Sequence, residues 1–532
     1  MPLISFAPHN ATRFPANRTD PASERVTPAK ATRIPRNQKA GRKHHLPPEF
    51  RYLNNLGIAI LLLLSFVTGC VDQKKEIASY RKIIDADVPA STQPGEAQPL
   101  ALLDALRLAN QNNERLAIEG ENYLQALIEK KRAVANFLPT VSLSPTYSVR
   151  DPASGTGNDP SGGSRDRRID VPVTGSVNVF RGFGDVATFR AAGATAEQRR
   201  ALLLDLQQSI LIDVARAYFQ VLRSEQSVEV LTNSIAVQEE RVADIRARQR
   251  VGFAKALDTA QTEAQAAATR VTLIDARNGA RRGRELLELL TAVPIGDRPL
   301  AETITAPPTT MPVESFESLG MMRRQDLAAS ASAIDAARRR VEAALGEYWP
   351  SISLNVSYYL SRESAPADSE WAALLSANLP IFSAGLIEAD VRDAWSQLRQ
   401  AKYGDSLLRR QVTQDVRVAY FDYAASRNRL DELKTQVDAA QQALAQAEDE
   451  YRAGRATNLE RIVAQDQLLS AQLQYTSERY DNRVFYLGLL RACGAMDDVL
   501  RGVPTTLPTT LPTTAPATQP VAWASRPRTF GS

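Results

Sequence analysis

The sequence is poor in the residues that do chemistry. It holds 3 His and 2 Cys in 532 residues. The three histidines, His9, His44 and His45, all lie in a basic head. If that head is removed, no imidazole remains, and with it go the commonest general base and the commonest metal ligand. Cys70 and Cys493 are too few for a disulfide framework or a thiolate metal site. No metal or phosphate motif is present, which argues against an enzyme and against any cofactor. Methionine is also sparse beyond the head (Met311, Met321, Met322, Met496), which disfavours metal export. Beyond Cys70 no apolar run is long enough to cross a membrane as a helix, so any insertion has to be by β-strands. Net charge is lacking too. The formal +4 comes from residues 1–55, whose ten Lys and Arg against Asp20, Glu24 and Glu49 leave −3 for the rest. A nucleic-acid partner is therefore not expected.

What is present is order along the chain. The head ends in "NNLGIAILLLLSFVTGC", whose apolar core Leu56–Val67 has signal-peptide length. Val67-Thr68-Gly69-Cys70 then resembles a bacterial lipobox, which makes Cys70 the expected lipid-attachment site after cleavage. Several acyl chains, at about 0.8 kcal/mol per buried CH₂, would anchor it in a membrane. The expected organisation is a head and lipoprotein signal over 1–69 and a lipidated linker over 70–98. A first repeat follows over 99–297, a linker over 298–317, a second repeat over 318–498, and a disordered Pro/Thr-rich tail over 499–532.

Each repeat begins helical and then alternates. Residues 100–137 read as helix. In "FLPTVSLSPTYSV", Val141, Leu143, Tyr147 and Val149 are apolar against Thr140, Ser142, Ser144, Thr146 and Ser148. After a Gly/Pro/Ser/Asp loop, "IDVPVTGSVNVF" alternates again; "YWPSISLNVSYYL" and, more weakly, "WAALLSANLPIF" repeat the pair. Period two with a Ser/Thr/Asn face suits strands that are lipid-facing on one side and wet on the other. Tyr147, Tyr358, Tyr359 and Trp371 lie near the loop ends, where an aromatic belt would sit.

Two very long helical stretches follow the strand pairs, at an offset of 202: Phe180 with Phe382, Tyr218 with Tyr420, Gly252 with Gly454. Val214, Val221, Val228, Ile235 and Val242 are seven apart, as are Val416, Tyr423, Leu430, Val437 and Leu444, a coiled-coil seam. The breaks "RQRVGFAKALD" and "YRAGRATNLE" read as tips of two helical hairpins, with return helices over 256–290 and 458–492. Glycine there relieves the cost of a positive φ.

The paired "LPTVSL" and "WPSISL", "VFRGFG" and "PIFSAG", the two "AYF" segments and the two Gly tips together resemble the TolC-like outer membrane efflux protein family, lipoprotein type, over about residues 98–497. The resemblance implies a mainly α protein with a small β part. Three chains would form a trimeric 12-stranded outer-membrane β-barrel continued by an α-helical coiled-coil tunnel. The chain would be the exit duct of a tripartite efflux or type I secretion system. Its implied partners are itself (a homotrimer), a periplasmic adaptor, an inner-membrane transporter and outer-membrane lipid. Gly252, Phe253, Gly454 and Arg455 are then adaptor-docking residues, within tips 251–257 and 453–459. Glu460, Tyr451 and Asp258 match periplasmic gate positions, Glu460 as an acidic ring whose repulsion raises its own pKa. The family's second acidic position is Val463 here, and the Arg that completes its gate is Ala456, with Arg455 beside it. The alternatives are a periplasmic adaptor, which normally carries one coiled-coil hairpin rather than two, and a structural coiled-coil lipoprotein, which would not need the Ser-rich strands.

Overall fold

The structure, a computed structural model, describes residues 72–86, 98–150, 166–302, 311–362 and 369–501. Cys70, the basic head and the Pro/Thr tail beyond Arg501 lie outside them; the first residues of the expected disordered tail, Val499 and Leu500, are instead buried at the end of a short helix. All described residues belong to one compact unit, Asp72–Ser532.

The stretch read as a linker carries a helix, α1 (Gln73–Ile84). Asp72 starts it by accepting from the Lys74 and Lys75 amides, and Tyr80 and Ile84 are buried. The stretch read as one helix over 100–137 is two, α2 (Leu102–Asn112) and α3 (Glu114–Ala135). Asn113 breaks it: its backbone is extended, and its Oδ1 caps the amides of Arg115 and Leu116. Its amide nitrogen donates to the Leu290 carbonyl at 2.8 Å, so the break also ties this segment to the end of a return helix.

Strands β1 (Thr140–Leu143) and β2 (Thr146–Arg150) are one strand interrupted at Pro145, which has no N–H to donate. Both pair antiparallel with β3 (Asp166–Arg181). The first repeat continues into α4 (Gly184–Arg250) and its return α5 (Ala256–Thr291). The second repeat gives α6 (Val313–Arg323), α7 (Gln325–Gly346), β4 (Ser351–Arg362), β5 (Trp371–Asn378), α8 (Leu386–Arg452), α9 (Asn458–Ala492) and the short α10 (Met496–Leu500). The offset between repeats is 211 residues at Leu102 and Val313 but 202 at Gly184 and Leu386. The second strand hairpin is shorter by the difference, so the duplication is in register on either side of a single length change.

The sheet joins the repeats. Its order is β1–β3–β4–β5, with β2 on the same edge as β1 and β4 pairing antiparallel to both neighbours. Register sorts residues by polarity. Leu143, Val173, Tyr358 and Trp371 form one cross-strand row, and Ser142, Thr174, Ser357 and Ala372 the next. Hydroxyls meet along the polar face, at 2.8 Å for Thr140 and Ser176. The apolar face is bare: Val141, Leu143, Tyr147, Val179, Trp371 and Leu375 are all more than half exposed. Leu374 breaks the alternation of β5, pairing with Asn355 on the polar face.

No described helix is long and apolar enough to cross a membrane. The main core instead gathers where α1, α2 and α6 pack across the long helices. Leu102, Leu106, Tyr218, Phe219, Phe316 and Tyr486 are buried there. The heptad seam is the packing face of α4: Val214, Val221 and Ile235 are buried, and so is the parallel register Ala217, Ser224, Leu231, Gln238 and Ile245. Small residues let the helices approach; a Cβ on Gly283 of α5 would stand 2.9 Å from Val221. Cys493 is fully buried beside the Phe316 carbonyl, and burial pushes its thiol up to about 12, as suits a packed thiol.

Candidate functional site: the two hairpin ends

Both long helices stop in the same way. At the first tip Gly252 has φ +82°, its amide donates to the Gln249 carbonyl at 3.0 Å, and the Phe253 amide reaches back to Arg248 at 2.8 Å. At the second, Gly454 has φ +69°, and the amides of Gly454 and Arg455 reach Tyr451 at 3.1 Å and Glu450 at 2.8 Å. These paired bonds satisfy the last carbonyls of a helix and need a left-handed residue at the hinge. The two breaks read from the sequence are thus turns, not kinks. Nothing lies within 4 Å of a Cβ built on either glycine. Phe253 is 87% exposed, with Val251 and Leu257 beside it, and Leu459 and Val463 are exposed at the second tip.

The return helices start with a carboxylate at equivalent positions. Asp258 Oδ2 accepts from the Lys255 amide at 3.1 Å, and Glu460 Oε2 accepts from the Thr457 amide at 2.6 Å and hydroxyl at 2.9 Å. The Glu460 amide in turn donates to Thr457 Oγ1, closing a capping box. The amide and hydroxyl of Thr457 hold the Glu460 carboxyl below the usual glutamate range. That is opposite in direction to the rise expected from a ring of carboxylates, because within one chain the nearest groups are donors.

The tips are joined. Asn458 Nδ2 donates to Thr262 Oγ1 at 3.1 Å and to the Asp258 carbonyl at 3.3 Å. Tyr451 and Asp258, which the resemblance matches to gate positions, share no hydrogen bond; the Asp258 carboxylate is taken up by its own helix start. The Tyr451 ring instead meets two guanidiniums: Arg461 is 4.2 Å from its centroid and Arg248 5.5 Å. Further in, Arg241 of α4 binds both Glu448 of α8 and Gln465 of α9. Burial, then the neighbouring Arg461 charge, brings the Arg241 guanidinium down to about 10. Arg241, Arg248, Glu448, Tyr451 and Arg461 line a cavity of about 350 Å³ between the ends of α4, α8 and α9.

Arg241, Arg248, Arg461 and Asn458 were not among the residues singled out from the sequence. Arg461 carried one local signal. A cation in the first turn of a helix opposes the helix dipole, and such a residue is retained for a contact elsewhere. No cluster of His, Cys, Asp and Glu able to hold a metal occurs among the described residues.

A sheet with a bare apolar face, opening into paired helical hairpins and built twice over, defines a class of outer-membrane channel. The sequence model of the outer membrane efflux protein family matches residues 105–292 and 321–495, and the chain belongs to that family. It is 26% identical over 354 residues to the outer membrane efflux protein BepC of Brucella suis, covering 61% of this chain and 77% of that one. It is 24% identical over 352 residues to TolC of Escherichia coli, 61% and 70% of the two chains. The alkaline protease secretion protein AprF of Pseudomonas aeruginosa is 23% identical over 303 residues, 55% and 62%. Among solved structures, the Campylobacter jejuni CmeC outer membrane channel superposes with a TM-score of 0.67 at 16% identity, covering 74% of this chain and 86% of that one. The Vibrio cholerae outer membrane protein VceC gives 0.65 at 20%, covering 74% and 96%. These likenesses establish the fold, and the chain is an outer-membrane channel component of the efflux and secretion type.

Proposed function

We propose that this protein is the exit duct of a tripartite efflux or secretion system, acting as a homotrimer with no catalytic step of its own. One observation carries the reading: the sheet has two unpaired edges, β1/β2 and β5, among the described residues, and a bare apolar face. Unpaired amides and carbonyls in lipid cost several kcal/mol each, so the sheet must close on further copies. Three copies make 12 strands, with twelve long and return helices below them.

Inside such a barrel the Ser/Thr rows face water, and the apolar rows face lipid. The far ends of the hairpins then project into the periplasm. The adaptor docks on the exposed tips at Gly252, Phe253, Gly454 and Arg455, passing on substrate from an inner-membrane transporter. Tyr451, Asp258 and a ring of three Glu460 carboxylates form the gate region. Cys70 carries the lipid anchor in the outer membrane.

Imaging of the protein purified in detergent tests the reading. A three-fold tube with a long helical part is the expected result; a monomer or an open sheet-mediated array refutes it. Cys70→Ala should abolish acyl labelling.

A further inference from the structure

The polar cluster at the hairpin ends does something its residue types alone do not announce. Arg461 is only 7% exposed and makes no direct ion pair; the carboxylate that acts on it, Asp244, is paired with Arg248. Its Nη2 donates to Asn458 Oδ1 at 2.9 Å, and its buried Nε has no hydrogen-bond partner. A buried cation without a direct ion pair is costly, and the close compensation here is the face of an aromatic ring, worth most where water is excluded. Tyr451 supplies that face at 4.2 Å, and Arg248 of α4, ion-paired to Asp244, stands 5.5 Å from the same ring centroid. Three helices therefore meet on one ring: α4 through Arg248, the last turn of α8 through Tyr451, and the first turn of α9 through Arg461.

We propose that the cation–π contacts of the Tyr451 ring with Arg461 and Arg248 are the latch that holds the hairpin ends together in this protein, with both arginines as positioning residues and the phenol hydroxyl dispensable. This deepens, and rests on, the reading of these ends as a gated mouth. It also explains how closure can operate without an arginine at position 456 and with the Asp258 carboxylate committed to its own helix.

Two readouts on the intact, detergent-solubilised protein separate the latch from the gate. Amide exchange over residues 448–462 reports the latch. Tyr451→Leu and Arg461→Met (chosen to keep the apolar volume of the stem) should raise it about tenfold, as the loss of one desolvated cation–π contact implies. Tyr451→Phe should exchange like the parent. Single-channel conductance in planar bilayers reports the gate, and should rise severalfold in Tyr451→Leu and Arg461→Met but not in Tyr451→Phe. If Tyr451→Phe loosens the segment as much as Tyr451→Leu, or Arg461→Met leaves it protected, the cation–π latch is refuted. If exchange rises as expected while conductance stays at the parent value, the latch stands and the gated-mouth reading falls.

Discussion

The two long helices are equal in length and unequal in surroundings. α4 and α8 each run 67 residues, and each turns at a left-handed glycine. Yet α4 is buried along nearly its whole length, whereas α8 buries little beyond Ile387, Ala394, Leu398, Val412, Val416, Tyr423 and Ser426. The clearest case is one residue and its repeat. Phe219 is 1% exposed, and Phe421, at the same place in the second copy, is 58% exposed. Val418 beside it, and Leu407 and Tyr403 several turns earlier on α8, are exposed as well. The difference follows from neighbours. α4 packs against α3, α5, α7 and α9 of its own chain, while α8 meets α6, α7 and α9 and leaves one flank open. A duplicated sequence thus gives one internal stave and one peripheral stave. The open flank of α8 is the surface that a second copy would cover in the proposed trimer.

That contrast can be broken most forcefully at the phenylalanines. Phe219→Ala should cost about 3–5 kcal/mol of fold stability, read by denaturant unfolding. Phe421→Ala should leave the protomer's fold nearly unchanged but shift the trimer towards monomer, read by light scattering. Equal losses of fold stability at both sites would show that the flank is not an assembly surface. A smaller contrast lies one residue earlier. The Tyr218 hydroxyl reaches the carbonyls of Leu100 at 2.7 Å and Ala301 at 2.5 Å, whereas Tyr420 only approaches that of Met311 at 3.5 Å. Tyr218→Phe should therefore cost roughly 1–3 kcal/mol, and Tyr420→Phe well under half of that. The tips are where the copies should behave alike. Gly252→Ala and Gly454→Ala should each cost about 1 kcal/mol, from the positive φ alone, because a Cβ meets nothing. A larger loss at one tip would reveal a contact that only the assembly makes.

The helix starts give the mildest comparison. Thr457 can accept a bond from the α9 amides, and the equivalent Lys255 has no acceptor on its side chain. Lys255→Ser should then stabilise the start of α5 by about 0.5–1 kcal/mol, seen as slower amide exchange there. The pH response should be one-sided. The Glu460 carboxyl lies below its ordinary value, so its capping contribution is present above the unfolded value of about 4.3 and is lost as pH falls through the depressed folded value. Exchange at the start of α9 should rise below about pH 4 and stay flat above 5.

Much of this was legible in the chain, because the signals are local. Alternation along "PTVSLSPTYSV" and "PSISLNVSYYL" has one physical solution, a strand with two unlike faces, and a glycine between two heptad runs has one cheap use, as a left-handed turn. Where local reading missed, the signal was local too. Asn113 is a good N-cap in the middle of a helical pattern, and it splits the expected helix; Asp72 likewise starts a helix in the expected linker.

What the sequence could not decide is which groups face each other. Tyr451 and Asp258 both match gate positions, but the Asp258 carboxylate accepts from the Lys255 amide, and Tyr451 meets two arginines that come from other helices. Phe219 and Phe421 are the same residue in the same motif, and nothing nearby in sequence tells buried from bare. Backbone turns and strand faces are settled within a few residues, by φ preferences and by period. Burial and ring–cation contacts depend on helices 200 residues apart in the chain, and only packing sets those distances.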